Sequence, residues 1–203
     1  MIKWQGMKEQ VLKWIENKRK ECRGFSELVG INDLSDWSNE RGEIKNKKGK
    51  DFFSIKGMRV RGAVGREVEN WDQPIIAQRK KGIFAIFCQR QKAVMKYLLQ
   101  ARYEPGLVNK IQLAPTIQTI ERNVKYFKFL KSKRAKVIYK VKHSEEGTRF
   151  WHKENLNILI ELDKNLILPE DDNFMWLTLP QIKKLMLIDN LVNPYVRTVL
   201  APL

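Results

Sequence analysis

The feature that most restricts the fold is a series of short apolar segments between residues 52 and 113, each closed by a turn. Phe52–Ile55 and Met58–Val60 are β-type runs separated by Lys56-Gly57. Ile75–Gln78, Ile83–Cys88, Val94–Gln100 and Lys110–Leu113 follow, with Gly82 and the polar stretch Gln89-Arg90-Gln91-Lys92 as breaks. Segments this short, rich in β-branched and aromatic residues and closely spaced, read as strands joined by tight turns. None is long enough to cross a bilayer as a helix.

Helical patterns lie towards the two ends. Residues 2–23 place Trp4, Met7, Val11 and Trp14 at 3-4-3 spacing, one face of an amphipathic helix, with Gly24 as its stop. Such a face packs on a core far more often than it lies on a membrane. Pro180–Asp189 predicts a short helix, and Val196–Leu200 reads as extended. Val137–Val141 and Ile158–Ile160 are further strand candidates, while Ile117, Ile120, Val124, Phe127 and Leu130 have near-helical spacing. Residues 39–50, polar and glycine-containing, read as a surface loop. The mixture predicts an α+β fold with a mixed or antiparallel sheet flanked by helices. No linker, repeat or low-complexity stretch divides the 203 residues, so a single domain over 1–203 is expected, with residues 1–24 as its N-terminal helix.

Charge narrows the partners. Thirty-nine Lys and Arg against 23 Asp and Glu give a net +16, which attracts polyanions. Residues 122–142 hold nine of these cations and no acid, and 41–61 hold eight with two acids. Two cysteines and two histidines are too few for a disulfide framework or a Cys/His metal centre. Cys88, inside an apolar strand, reads as a buried thiol, and His143 and His152 read as surface residues. Trp37, Phe150 and Trp176 read as core residues. The first residues lack a secretory leader, so a reducing cytoplasmic setting is expected, without a membrane anchor. The glycine-rich run Gly57–Gly65 is a weak phosphate-loop signal, since hairpin turns use glycine too. No P-loop or dinucleotide fingerprint is present.

Polar residues crowd around prolines and strand ends in four blocks: Arg66–Ile76 (REVENWDQPII), Leu99–Gly106 (LQARYEPG), Gln112–Gln118 (QLAPTIQ) and Ser144–Phe150 (SEEGTRF). Amides at strand ends donate and accept hydrogen bonds without changing charge, as a sugar or nucleobase pocket requires. Arg66 or Arg149 has the fork geometry that grips a diphosphate. Ordinary turns with capped polar groups would show the same pattern.

These blocks resemble the hallmark strings of the NDP-hexose 2,3-dehydratase family. Flanking strings agree: Phe25-Ser26-Glu27-Leu28 with Asp36-Trp37, Asp51–Gly57, and Val192-Asn193 with Arg197-Thr198-Val199-Leu200. The resemblance runs in order over about residues 10–203. It implies a Nudix-like fold lacking the metal-binding glutamate motif, and no such motif is found here. It implies a substrate that is a nucleotide-linked 4-keto-6-deoxyhexose, usually on dTDP, from which the carbon-2 hydroxyl is removed. Typical members carry two duplicated halves. This chain resembles one, so a homodimer standing in for the pair is expected. The 3,4-diketo product implies an NADPH-dependent 3-ketoreductase acting next in the pathway.

A ketone at carbon 4 acidifies the carbon-3 proton. A general base removes it, hydroxide leaves carbon 2 with help from an acid, and the enol becomes a ketone. That sequence needs neither a redox cofactor nor a metal, provided donors hold the enolate oxygen. Inside the matching blocks, Glu67, Glu104 and Glu145 are the candidate bases. Gln73, Gln100, Gln118 and Ser144 are candidate donors, Arg66 and Arg149 the diphosphate grip, and Trp71 or Tyr103 a stacking surface. Gln112 and Thr116 complete the candidate substrate contacts. Two other readings stay open. One is a catalytically silent sugar-nucleotide binder. The other is a nucleic-acid module using Tyr126, Phe127, Phe129 and Tyr139 between the cations of 122–142, against which dispersed charge alone argues for a solvated face without specific nucleic-acid recognition.

Overall fold

Ile83–Cys88 is apolar at every position because both of its faces are covered, so its alternation is lost. In the computed structural model, which describes residues 2–47, 52–120 and 124–203, this run is the centre of strand β5. Along the chain, α1 (Ile2–Glu21) precedes β1 (Trp37–Glu40), β2 (Glu43–Asn46), β3 (Ser54–Val60) and β4 (Trp71–Ala77). Then come β5 (Gly82–Gln91), β6 (Val94–Tyr103), β7 (Ile111–Pro115), β8 (Ile117–Thr119), β9 (Ala135–Ser144), β10 (Glu154–Leu162) and β11 (Phe174–Thr178). Helices α2 (Leu179–Leu185) and α3 (Pro194–Leu200) close it. The fold is α+β, with one four-stranded sheet in the order β1-β2-β3-β4 and one seven-stranded sheet. The side chain of Trp4, Asp51 and residues 121–123 lie outside the described residues.

Contacts group the chain into two units. The first comprises Met1–Ser26, Ile83–Val141 and Leu156–Leu203. The second comprises Glu27–Gly82 and Lys142–Asn155. In the first, β5 sends Phe84, Ile86 and Cys88 into one core and Ala85 and Phe87 into another. The first core is covered by α1 through Val11 and Ile15, and by Ile182, Leu185, Val196 and Val199 of α2 and α3. The helical stripe of residues 2–23 is therefore a packing face. Burial pushes the Cys88 thiol up to about 12, so it stays protonated. No helix among the described residues is long and apolar enough to cross a membrane.

The strands β5 and β6 pair antiparallel from Gln91 opposite Val94 to Phe87 opposite Leu98. Beyond that point they diverge, and segment 111–119 fills the fork. Its β7 pairs with Leu99–Tyr103 of β6, and its β8 pairs with Ile83–Ala85 of β5. Thr116 sits at the apex, 2% exposed. Its hydroxyl donates to the Leu98 carbonyl and accepts from the Phe87 amide at 2.9 Å. One side chain thus satisfies backbone groups of both parting strands. Pro115 beside it has no N–H to leave unpaired.

In the second unit, the β1–β2 hairpin turns on Arg41 (φ 54°) and Gly42 (φ 76°). Two positive values in a two-residue loop suit the right-handed twist of a hairpin. The surface loop expected over 39–50 is thus corrected within 39–46, and residues 48–50 lie outside the described residues. Trp-Ser-Asn-Glu and Glu-Ile-Lys-Asn are polar strands, and Arg-Gly is a weak version of the usual Asn-Gly signal. Gly57 lies within β3, and Gly62 and Gly65 shape the turn to β4. Val196–Leu200, expected to be extended, is helical. Pro194 opens α3, and Asn193 caps it by accepting from the Tyr195 amide at 2.9 Å. The near-helical spacing of 117–130 yields no α-helix among the described residues. It spans β8 and, from Phe127, the start of a 3₁₀ turn over Phe127–Lys131. Trp37, Phe150 and Trp176 are half-buried.

Thr116→Val keeps the volume but leaves the Phe87 amide and Leu98 carbonyl unpaired, and is expected to cost about 1–3 kcal/mol. Thr116→Ser keeps the hydroxyl and is expected to cost clearly less. Urea unfolding of the two variants checks this.

Candidate active site

The four polar blocks pair off in space. In the first unit, block two lies along and beyond the end of β6, and block three runs through β7 and β8 beside it. Alternation along β6 turns Leu99, Ala101 and Tyr103 into the first core, leaving Gln100 and Arg102 on the opposite side. Arg102 stands opposite Gln112 and Gln100 opposite Ala114. Gln100 donates to the carbonyls of Pro115 at 2.8 Å and Thr116 at 3.4 Å.

Glu104 follows directly on the strand and is half-buried. Its Oε1 receives the side-chain amide of Gln118 and the Arg102 Nε at 3.1 Å. Both donors converge on the same oxygen, and Oε2 takes no hydrogen bond among the described residues. Gln112 and Gln118 are 6% and 8% exposed, and the Oε1 of each is buried with no partner among the described residues. A buried acceptor of this kind has free-energy cost until a donor reaches it. Sequence reasoning passed over Arg102. The alternation of β6, which places it beside Glu104, was its available signal.

Two candidates of this unit stand elsewhere. Thr116 uses its hydroxyl within the sheet, as described. Tyr103 points into the first core, where Gly24 lies against its ring. A Cβ at Gly24 would meet the ring at 2.8 Å, so a larger residue there would have to displace it.

In the second unit, blocks one and four meet. Ile76 of β4 forms a parallel bridge with Phe150, and its amide donates to the Arg149 carbonyl at 2.9 Å. Gln73 donates to the Thr148 carbonyl at 2.6 Å and accepts from the Trp71 indole at 2.7 Å. Gln73 and Trp71 therefore hold the two blocks to each other. Arg66 and Glu67 are exposed in the β3–β4 turn, with no side-chain partner among the described residues. Arg149 is exposed and pairs with Glu146 at 3.3 Å, and Ser144 is exposed at the end of β9.

Glu145 accepts from the Asn155 side chain, whose own carbonyl oxygen accepts from the Gly82 amide at 2.9 Å. Its amide donates to the Lys153 carbonyl at 2.8 Å. Lys153 is 5% exposed and donates its ammonium to the Lys80 carbonyl. Burial lowers its pKa, against the attraction of Glu145. His143 and His152 are exposed. In the basic stretch, Tyr126 is buried in the second core and donates its hydroxyl to the Pro169 carbonyl at 2.6 Å. Phe127 and Phe129 pack against the same core.

Lys153 makes a pH-dependent contribution to stability. The folded chain releases its proton below the ordinary 10.5, so the unfolded chain holds more protons between the lowered value and 10.5. Stability therefore rises with pH through that window. Relative to Lys153→Met, the wild type should gain stability between pH 7 and pH 10.5, as read from urea midpoints.

The family model for NDP-hexose 2,3-dehydratase matches residues 8–203. A dTDP-4-dehydro-6-deoxy-alpha-D-glucopyranose 2,3-dehydratase of Saccharopolyspora spinosa is 32% identical, over 93% of this chain and 40% of its own. Proteins of the same name from Amycolatopsis orientalis and Streptomyces violaceoruber are 33% and 34% identical. They cover 95% and 85% of this chain, and 44% and 41% of their own. The chain thus spans about two fifths of the length of the curated relatives it matches. Among solved structures, a Nudix hydrolase from M. smegmatis shows a TM-score of 0.39 at 13% identity, over 72% of this chain and 97% of its own. A C. elegans Ap4A hydrolase shows 0.36 at 12%, over 51% and 83%. On the match over residues 8–203, and on the identity to three such relatives, the chain belongs to the NDP-hexose 2,3-dehydratase family.

Proposed function

We propose that the chain is a carbon–oxygen lyase acting on a dTDP-linked 4-keto-6-deoxyhexose, with Glu104 as its general base. The observation that carries this is the Glu104 carboxylate, held at Oε1 by Gln118 and Arg102, with no hydrogen bond at Oε2 among the described residues. A base must have its orientation fixed and one lone pair free, and this arrangement supplies both. Family membership supplies the substrate class.

In this reading Oε2 takes the proton from sugar carbon 3. The electron pair moves into the ketone at carbon 4, giving an enolate. The carbon 2–oxygen bond then breaks, and hydroxide leaves as water after taking a proton. The enol formed at carbon 3 becomes a ketone, so the product is a 3,4-diketo-2,6-dideoxy sugar. The balance is loss of one water with no net oxidation. Arg102 and Gln118 hold Glu104 in place.

In this reading the working form is a homodimer. The reactive diketone calls for an NADPH-dependent ketoreductase to consume it, with both acting in a reducing cytoplasm.

The test is incubation with dTDP-4-keto-6-deoxyglucose, with a 3-ketoreductase and NADPH to trap the product, followed by mass spectrometry. A mass lower by one water, then higher by two hydrogens on trapping, is expected. Glu104→Gln is expected to lower kcat by about 10²–10⁴-fold, the usual worth of a general base. A folded Glu104→Gln variant with normal turnover places the base elsewhere. Unchanged substrate bound tightly by the wild type would make the chain a silent binder.

A further inference from the structure

One side of the four-stranded sheet in the second unit carries features that the chemistry at Glu104 does not use. Register decides which side chains share it. Lys45 stands opposite Ser54, Ser54 opposite Ala77, Lys56 opposite Ile75 and Met58 opposite Gln73. Residues directly opposite one another in antiparallel strands project to the same side, as do residues two apart. Lys45, Lys56, Met58, Ile75 and Ala77 therefore line one surface.

Two cavities open on it. The larger, about 770 Å³, is lined by Lys45, Lys47, Lys56 and Arg79 against a single carboxylate, Glu43, with Phe52 at its wall. The smaller, about 230 Å³, is lined by Met58, Ile75, Ala77 and Trp151 together with Lys56 and Arg59. Lys56 and Ala77 belong to both, so the cavities adjoin across one lysine.

Arg79 makes no ion pair or side-chain hydrogen bond among the described residues. Lys45 pairs with the exposed carboxylate of Glu40 at 2.9 Å, and Lys56 with the half-buried one of Glu43 at 3.4 Å. Ion pairs so exposed are worth about 0–1 kcal/mol, and a doubly charged phosphate competes with them readily. Trp151 is 51% exposed, and its backbone is anchored to the sheet. Its amide donates to the Ile76 carbonyl at 2.8 Å, and its ring stacks on His152 at 4.2 Å and 18°. A large aromatic ring kept in place and half in water is a surface waiting for a flat partner.

We propose that this surface binds a nucleoside diphosphate, with the base in the smaller cavity against Trp151 and the phosphates on Lys56 and Arg79. The slot of Met58, Ile75 and indole suits a planar base, and the adjoining cations suit a diphosphate. The assignment rests on the sugar-nucleotide reading for its substrate class. It differs from the sequence expectation, which placed the diphosphate on Arg66 and Arg149 and the stacking on Trp71 or Tyr103.

The test is calorimetric titration of the full chain with dTDP alone. Trp151→Ala and the double variant Lys56→Ala/Arg79→Ala should each weaken binding tenfold or more, with thermal midpoints near that of the wild type. Lys133→Ala, in the basic stretch of the other unit, should bind as the wild type does. Wild-type affinity in both site variants overturns the proposal, as does a thymidine oligonucleotide bound through these residues more tightly than dTDP. Steady-state kinetics separates this assignment from the dehydratase reading. Turnover with unchanged KM and unchanged dTDP affinity in both variants leaves the reading and removes the site. dTDP binding lost in both variants, in a wild type that leaves the keto sugar intact, keeps the site and removes the reading.

Discussion

The first unit depends on the point where β5 and β6 part. Two paired strands that diverge expose a fork of unpaired amides and carbonyls, and burial makes each of them costly. Segment 111–119 fills the fork by pairing with one strand and then with the other. The change of partner falls at Pro115 and Thr116, where the backbone has one donor fewer and a hydroxyl takes over the bridging. Everything polar nearby follows from that insertion. It sets Gln112 opposite Arg102 and carries Gln118 to Glu104.

The four polar blocks are not one cluster along the chain but two meetings. Blocks two and three are joined by a sheet, blocks one and four by Gln73 and the Ile76–Phe150 bridge. The two meetings differ in kind. The first contains buried polar groups, with a carboxylate oxygen and two amide oxygens that have no partner among the described residues. The second holds turns to a strand, and its own sheet offers cations and a half-exposed indole.

Legibility in the sequence followed physical cause. Strands β5 and β6 could be read because their covering demands apolar residues, and α1 because its stripe packs at 3.6-residue spacing. The β1–β2 hairpin could not, since an open polar strand has no alternation to betray it. Helix α3 was hidden by Val-Arg-Thr-Val, a β-like string whose helical state comes from Asn193, Pro194 and the core beneath Val196 and Val199. In the candidate site, Glu104, Gln112 and Gln118 were legible as members of blocks. Arg102 was not singled out, because its role comes from standing opposite Gln112 and next but one to Glu104.

What the residues determined unaided was the α+β class, the basic field, the buried thiol at Cys88 and membership of a family through its four blocks. These are local properties, or sums over the chain, and need no knowledge of what touches what. Which block faces which was decided only by the tertiary structure, as were the use of Thr116 to close a fork and the aim of Tyr103 into the core. Such outcomes come from pairing between residues distant in sequence, where one hydroxyl or one amide serves whichever strand the fold brings to it.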